Sequence, residues 1–287
     1  MKLLSIIAAA AVAVSLAPTA QAAELTGTLA KIDKNGEIVI GHRESSVPFA
    51  YLDENQKPIG YSMDLCAKIV DAVSAELGKK LNVKYVPVNP KTRIALMANG
   101  TIDLECGSTT NNLTRQQQVE YLPVTFVTGT KLMVRKGSGI TSVKDLAGKA
   151  VALAQGTTNE RAVKAAAESM NIDFKVLPVR DHAEGMLSLE TDRVDAYATD
   201  HILLYGLMSK SKNPDQFEVV GDFLSFDPYA LMVRRDDSAF ELIGKKTLAA
   251  VFRSGEIDAI YDKWFKPLGV PQTDLLQAAF KLGALPE

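Results

Sequence analysis

The chain has 287 residues, 47% hydrophobic and 23% charged, with a formal net charge of -2. That is globular composition, with enough apolar material for one large core or two modest ones. The near-neutral balance offers no basic field to nucleic acid or to an anionic membrane.

Met1 to Ala22 has the build of a secretory signal peptide. Lys2 precedes an apolar run from Leu3 to Leu16, interrupted by Ser5 and Ser15, then Pro18 and the A-x-A site Ala20-Gln21-Ala22. Cleavage after Ala22 gives a mature chain starting at Ala23, with 31 basic against 34 acidic side chains and a net charge of -3. The apolar run is short of the ~20 residues that span a bilayer. No cysteine sits near the cleavage site to carry lipid, and no later segment is apolar enough to insert. The expectation is an exported, periplasmic protein without membrane insertion. Cys66 and Cys106 are the only cysteines. In an oxidising compartment such a pair suits a disulfide. Two buried free thiols, packed as small hydrophobes, are the alternative.

Ala23 to Asn35 reads as a weakly patterned polar leader. Glu37 to Gly41 alternates and is the first strand. His42 to Gly60 reads as a loop. Tyr61 to Leu77 places Leu65, Ile69, Val70, Val73 and Leu77 on one helical face, with Ser62 or Asp64 able to cap it. Val83 to Val88 is a strand. Lys91 to Ala98 is a short helix closed by Asn99-Gly100, and Thr101 to Cys106 is the third strand. Glu120 to Phe126 is extended and Lys131 to Arg135 is a strand. Ser142 to Leu146 is a helical turn and Ala150 to Ala154 a strand. A helix then opens at Gln155-Gly156-Thr157-Thr158 and runs to about Met170. Strands at Phe174 to Leu177 and Val194 to Ala198 flank a helix over Asp181 to Glu190, and His201 to Met208 is helical. Phe217 to Val220 and Ala230 to Val233 are strands. Ser238 to Ser254 and Gly255 to Phe265 are helices, and the tail is weakly patterned until Leu275 to Leu282. Strands alternating with helices predict an α/β chain with largely parallel sheets.

Two segments look alike. Ile94 to Cys106 and Met186 to Ala198 each run from helix through an Asp to a strand, followed by polar residues: Ser108 to Thr110 in one, Thr199 and Asp200 in the other. If this is more than the general likeness of βα units, the chain has two related lobes. Each then places polar groups at a strand's C-terminal end, where open α/β sheets bind ligands.

Leu104 to Arg115, LECGSTTNNLTR, is the densest polar stretch. Gly107 allows close backbone approach. Ser108, Thr109, Thr110, Asn111 and Asn112 offer compact donors and acceptors, and Arg115 a planar fork suited to a carboxylate. The plain alternative is a loop capping a helix. Gly156-Thr157-Thr158 at a helix start is likewise either an anion seat or a Thr N-cap. Asp200 either meets a cation or caps the next helix, and Arg43 and Arg93 are either site residues or solvated.

Chemistry beyond binding has little support. The three histidines are at 42, 182 and 201. No H-E-x-x-H, G-x-S-x-G, G-x-G-x-x-G or Walker A pattern is present. The Ser209 to Lys212 run matches S-x-x-K only within a lysine-rich polar stretch. The cysteine spacing excludes a CxxC-type metal site, and no cofactor is implied.

Taken together, several runs carry a resemblance. They are Gly41-His42-Arg43-Glu44, Pro48-Phe49, Gly60-Tyr61-Ser62, Glu105 to Asn112 with Arg115, SVKDLAG at Ser142 to Gly148, Gly156-Thr157-Thr158, Asp181-His182, Asp200, and Ile260 to Phe265. The sequence resembles bacterial periplasmic solute-binding proteins of the polar amino-acid transport family, nearest to those that bind glutamate and aspartate. The resemblance covers essentially the whole mature chain. It implies a type II periplasmic binding protein fold, two α/β lobes joined by a two-stranded hinge. Residues 36–127 plus 229–287 would form the first lobe and 128–228 the second, with crossings near Phe126 to Thr130 and Asp227 to Ala230. It also implies a ligand set. Arg115 would hold the α-carboxylate with Thr110, Thr157 and Thr158, and Asp200 the α-ammonium. Arg43, Arg93 and Ser108 would read the side-chain carboxylate, with His182 close by. Pro90 stands where a small hydroxyl residue is expected, and Thr92 or Asn89 is the candidate to supply that contact. The implied partners are L-glutamate or L-aspartate and an ABC transporter permease, served by a monomer. The alternative is an exported dehydratase-like enzyme on the same fold.

Overall fold

The structure, a computed structural model, describes residues 25–286. The signal-peptide reading and the cleavage site after Ala22 lie outside them. The elements in order are α1 (Gly27–Asn35), β1 (Glu37–His42), β2 (Ser45–Ser46), β3 (Ala50–Leu52), β4 (Pro58–Ile59), α2 (Tyr61–Glu76), β5 (Asn82–Pro87), α3 (Arg93–Ala98), β6 (Leu104–Cys106), α4 (Leu113–Gln116), β7 (Val119–Thr128) and β8 (Thr130–Arg135). After a 3₁₀ turn at Val143–Leu146 come β9 (Ala150–Ala154), α5 (Thr158–Ser169), β10 (Lys175–Val179), α6 (His182–Glu190), β11 (Ala196–Asp200), α7 (His201–Met208), β12 (Phe217–Val220), β13 (Asp227–Arg234), α8 (Ser238–Ser254), α9 (Glu256–Phe265) and α10 (Asp274–Gly283).

Two five-stranded sheets organise the chain, in the orders β5-β1-β6-β13-β7 and β10-β9-β11-β8-β12. The chain leaves the first sheet after Thr128, enters the second at Thr130, and returns at Asp227. This is the expected pair of α/β lobes joined by two crossings. The expectation of largely parallel sheets holds for only part of each. β1, β5 and β6 run parallel, as do β9, β10 and β11, but β13 is antiparallel to both its neighbours and β8 to both of its own. The crossing strands cause this, because a chain that arrives from the other lobe enters the sheet from the opposite end.

Each sheet is covered on both faces. Ile38, Ile40 and Leu104 point into one first-lobe core, and Val39, Met97 and Met232 into the other. In the second lobe Leu132, Val134, Val151 and Leu153 face one side, and Met133, Ala152 and Tyr197 the other. That alternation follows from the two-residue period of a strand. Cys66 on α2 and Cys106 on β6 are joined in a disulfide, so the free-thiol alternative does not hold. No helix among the described residues is long and apolar enough to cross a membrane.

Three local readings change. The expected polar leader contains a helix, α1, whose Leu29 and Ile32 are buried and whose end is closed by Gly36 at φ 64°. The expected loop between His42 and Gly60 holds a small sheet, β2-β3-β4, of two- and three-residue strands. At the start of α2 neither Ser62 nor Asp64 caps the helix, since Gly60 occupies that position without a side-chain bond. Ser62 Oγ instead donates to Gly107 O at 2.8 Å, and Asp64 accepts from Trp264 Nε1 at 2.7 Å.

Candidate functional site

The sequence-predicted residues gather where the parallel strands of both lobes end. Arg43 follows β1, Arg93 opens the helix after β5, and Ser108, Thr110 and Arg115 follow β6. Across the cleft, Thr157 and Thr158 follow β9, His182 follows β10, and Asp200 ends β11. These are C-terminal ends of parallel strands in open sheets, where side chains and helix N-termini converge.

On the first-lobe side Arg43 is 1% exposed, yet neither of its terminal nitrogens has a hydrogen-bond partner among the described residues. Burial, then the neighbouring Arg93, lowers its pKa to about 10. Ser108 Oγ is likewise buried without a partner. Arg93 is held in place: its Nη1 donates to Ser108 O at 3.1 Å and to Thr109 Oγ1 at 2.6 Å. Thr109 Oγ1 in turn donates to Glu105 Oε2 at 2.7 Å. A Cβ at Gly107 would lie 2.3 Å from Glu105 Oε1 and 2.9 Å from Arg43 Cγ, so a larger residue there would displace these two side chains.

Arg115 links the lobes. Its Nη1 donates to Thr110 O at 2.8 Å and its Nη2 to Gly156 O at 3.2 Å. Burial, then Arg93, lowers its pKa to about 10 as well. The backbone N–H of Arg115 is capped by Asn112 Oδ1 at 3.0 Å, so the capping reading of this loop is also correct, through Asn112. Thr110 Oγ1 donates to Asp227 Oδ1 at 2.9 Å and lies 3.2 Å from Thr158 Oγ1 in the other lobe.

In the second lobe the Thr157 side chain is occupied as an N-cap. Its Oγ1 accepts from Glu160 N at 3.0 Å and donates to Ala154 O at 2.8 Å. What the α5 N-terminus presents besides is the Thr158 hydroxyl, next to Gly156 in the left-handed conformation at φ 80°. His182 is buried, with Nδ1 2.7 Å from the Tyr197 hydroxyl. Burial, followed by the positive fields of Arg43 and Arg93, lowers its pKa well below the usual value, so the ring is neutral at pH 7. Asp200 is the N-terminal boundary residue of α7 but makes no capping bond. Its Oδ2 accepts from Tyr229 Oη at 2.5 Å and its Oδ1 has no hydrogen-bond partner among the described residues. Burial, then Asp227, raises its pKa to about 7.

All nine predicted residues therefore lie at or just beyond the C-terminal ends of parallel strands in the two lobes. Asn89 and Thr92, the candidates for the contact displaced by Pro90, are engaged with each other. Asn89 Oδ1 accepts from Lys91 N at 3.0 Å and Thr92 N at 3.1 Å, and Thr92 Oγ1 accepts from Asn89 N at 3.1 Å. Five residues outside the predicted set, Tyr197, Asp227, Tyr229, Thr109 and Glu105, hold or flank it. Glu105 and Thr109 lie inside the dense polar run and Asp227 and Tyr229 inside the expected second crossing, while Tyr197 carries no site signal in the sequence.

The Family 3 model of bacterial extracellular solute-binding proteins matches residues 38–267. The L-glutamate/L-aspartate-binding protein of Pseudomonas aeruginosa is 45% identical over 263 residues, 91% of this chain and 87% of that protein. The glutamate/aspartate import solute-binding protein of Escherichia coli K12 is 44% identical over 262 residues, again 91% and 87%. An ancestral arginine-binding protein bound to glutamine superposes with a TM-score of 0.71 at 31% identity, covering 80% of this chain and 98% of that one. The ancestral amino-acid-binding protein AncCDT-1, a precursor of cyclohexadienyl dehydratase, gives 0.71 at 26% identity, covering 83% and 100%. The architecture is that of type II periplasmic binding proteins, and the relatives named are binding proteins rather than enzymes. The chain belongs to the bacterial extracellular solute-binding proteins, family 3.

Proposed function

We propose that the protein binds acidic L-amino acids, glutamate and aspartate, in the periplasm and delivers them to the permease of an ABC importer. The observation that carries this is the pairing of unpartnered buried groups across the cleft. Among the described residues Arg43 has two guanidinium nitrogens and Ser108 a hydroxyl without partners in the first lobe, and Asp200 has an unpartnered carboxylate oxygen in the second. Buried charge without a partner is costly. Such groups belong with a ligand that brings the complementary charge. An α-amino dicarboxylate does so, with two carboxylates for the arginines and one ammonium for the aspartate. The roles are those the family resemblance implies. Arg115, with Thr110 and the α5 start at Thr157 and Thr158, takes the α-carboxylate, and Asp200 takes the ammonium. Arg43, Arg93 and Ser108 take the side-chain carboxylate beside neutral His182. The closing bodies are 36–127 plus 229–287 and 128–228.

The names of the relatives support this reading, and export agrees with the disulfide. Selectivity rests on mismatch: glutamine would leave Arg43 buried and short of a charge, which costs more than the lost attraction alone. Titration calorimetry with glutamate, aspartate, glutamine and arginine tests it. Glutamate and aspartate should bind tightest, and tighter binding of glutamine or arginine would overturn the specificity.

A further inference from the structure

The two lobes touch through backbone as well as through side chains. Gly206 sits inside α7, a regular helix of the second lobe, and is buried. A Cβ built on it would lie 2.2 Å from Val47 O, 2.7 Å from Val47 C and 3.0 Å from Val47 Cβ. Val47 belongs to the first lobe, between β2 and β3. Gly206 is not among the positive-φ residues, so nothing in its own backbone asks for glycine. Within a helix, alanine is the better former. The reason for a glycine here lies in the other lobe.

Neighbouring contacts lie on the same seam. Ala183 N, at the start of α6, donates to Ser45 Oγ at 3.3 Å. Ile202 and Leu203 of α7 are 0% and 1% exposed within the first-lobe core. An open cavity of about 730 Å³ adjoins the seam, lined by Val47, Tyr51, Ala183, Leu207 and Lys210 among others, so side chains there have room while the Gly206–Val47 backbone contact has none. The helix that carries this contact begins at Asp200. The six-residue offset to Gly206 corresponds to about 9 Å along the axis.

We propose that Gly206 is the stop that sets how far the lobes close, and so determines affinity without touching ligand. The inference rests on the amino-acid-binding function above. Only a residue without a side chain lets α7 reach the Val47 carbonyl. That approach seats the α7 N-terminus, with Asp200 held by Tyr229, over the first-lobe arginines. A side chain at 206 props the lobes apart, lifts Asp200 from its place and weakens every ligand by one common factor.

The test is Gly206→Ala, compared with wild type by calorimetry for glutamate and aspartate, by melting of the unliganded protein, and by small-angle scattering at saturating glutamate. Closing over one added methyl should raise both dissociation constants together, by about tenfold or more. The liganded radius of gyration should exceed that of wild type, and the unliganded melting temperature should stay equal or rise. Unchanged dissociation constants overturn the proposal, as does an unchanged liganded radius of gyration. A lower unliganded melting temperature overturns it too, by making Gly206 part of permanent packing. Absence of glutamate binding by wild type removes the functional reading along with it. Wild-type binding with an unchanged variant removes this inference alone.

Discussion

The first lobe brings three arginines to the cleft, while the second brings an acid, an imidazole and the starts of α5, α6 and α7. The cations of the first lobe sit at different levels of restraint. Arg93 is bonded to Ser108 O and Thr109, and Arg115 to Thr110 O, while Arg43 has its terminal nitrogens free. In the second lobe the helix starts are fixed and Asp200 is half satisfied, with one oxygen on Tyr229 and the other free. The first-lobe side presents the open fork of Arg43, with Arg93 Nε and Glu105 Oε1 also unpartnered among the described residues, and the second-lobe side presents the open oxygen of Asp200. On the proposed roles, Arg43 and Asp200 meet the ligand with unpaired atoms, and Arg115 meets it from within bonds already made to Thr110 O and Gly156 O.

Three changes probe that contrast. The largest effect is expected from Arg115→Ala. It removes the bonds to Thr110 O and Gly156 O and, on the proposed roles, the α-carboxylate contact, so glutamate, aspartate and glutamine should all lose affinity. Truncating one partner of a buried charged contact costs about 2–5 kcal/mol, roughly 30-fold to several thousand-fold in dissociation constant. Calorimetry reads it, and a loss confined to the acidic ligands would reverse the roles of Arg115 and Arg43.

Arg43→Met keeps much of the buried stem and removes the open fork. Glutamate affinity should fall by about 1.5–3 kcal/mol while glutamine changes far less. Equal losses for the two ligands would move side-chain recognition away from Arg43.

The smallest effect is on pH dependence. In the protein without ligand, Asp200 has its pKa raised to about 7 by burial and by Asp227. A raised acid is protonated below that value, and an ammonium ligand requires the ionised form. Affinity should therefore be full above pH 7 and weaken as pH falls through 7, by up to about tenfold per pH unit. Binding at pH 6 should release a proton, measured as a calorimetric heat that varies with the ionisation enthalpy of the buffer. For the protein without ligand the sign is opposite. Asp200 holds its proton more tightly folded than unfolded, so its contribution disfavours the fold as pH rises from 4 to 7. Binding that is flat from pH 5 to 8 would remove Asp200 from contact with the ammonium.

Much of this was legible from the residues. Ala150–Ala154, His201–Met208, Phe217–Val220 and Ser238–Ser254 have the bounds the apolar pattern predicts, because their own periodicity and flanking polar residues define them. The small β2-β3-β4 sheet was not visible, since two-residue strands carry no period and exist only through pairing. α1 was hidden by its largely polar composition, with Leu29 and Ile32 its main buried apolar anchors. In the site, single residues were readable as types, but their partners were not. Asp200 and Tyr229 are 29 residues apart and meet only where the second crossing returns to the first sheet. The exchange of bonds between Asn89 and Thr92 is a local turn that hydroxyl and amide side chains form readily, and it competes with any outward role for them.

The place of β13 has a consequence for the order in which the molecule is made. It lies between β6 and β7 in the first sheet, yet it is synthesised after all of β8 to β12. Until residues 227–234 emerge, β6 and β7 each lack a neighbour, and open strand edges invite wrong pairing. The second sheet needs only residues 130–220, one continuous run, to be complete. The lobe that starts the chain is therefore the last to finish, and a chain cut before Asp227 keeps every strand of the later sheet while leaving the earlier one split.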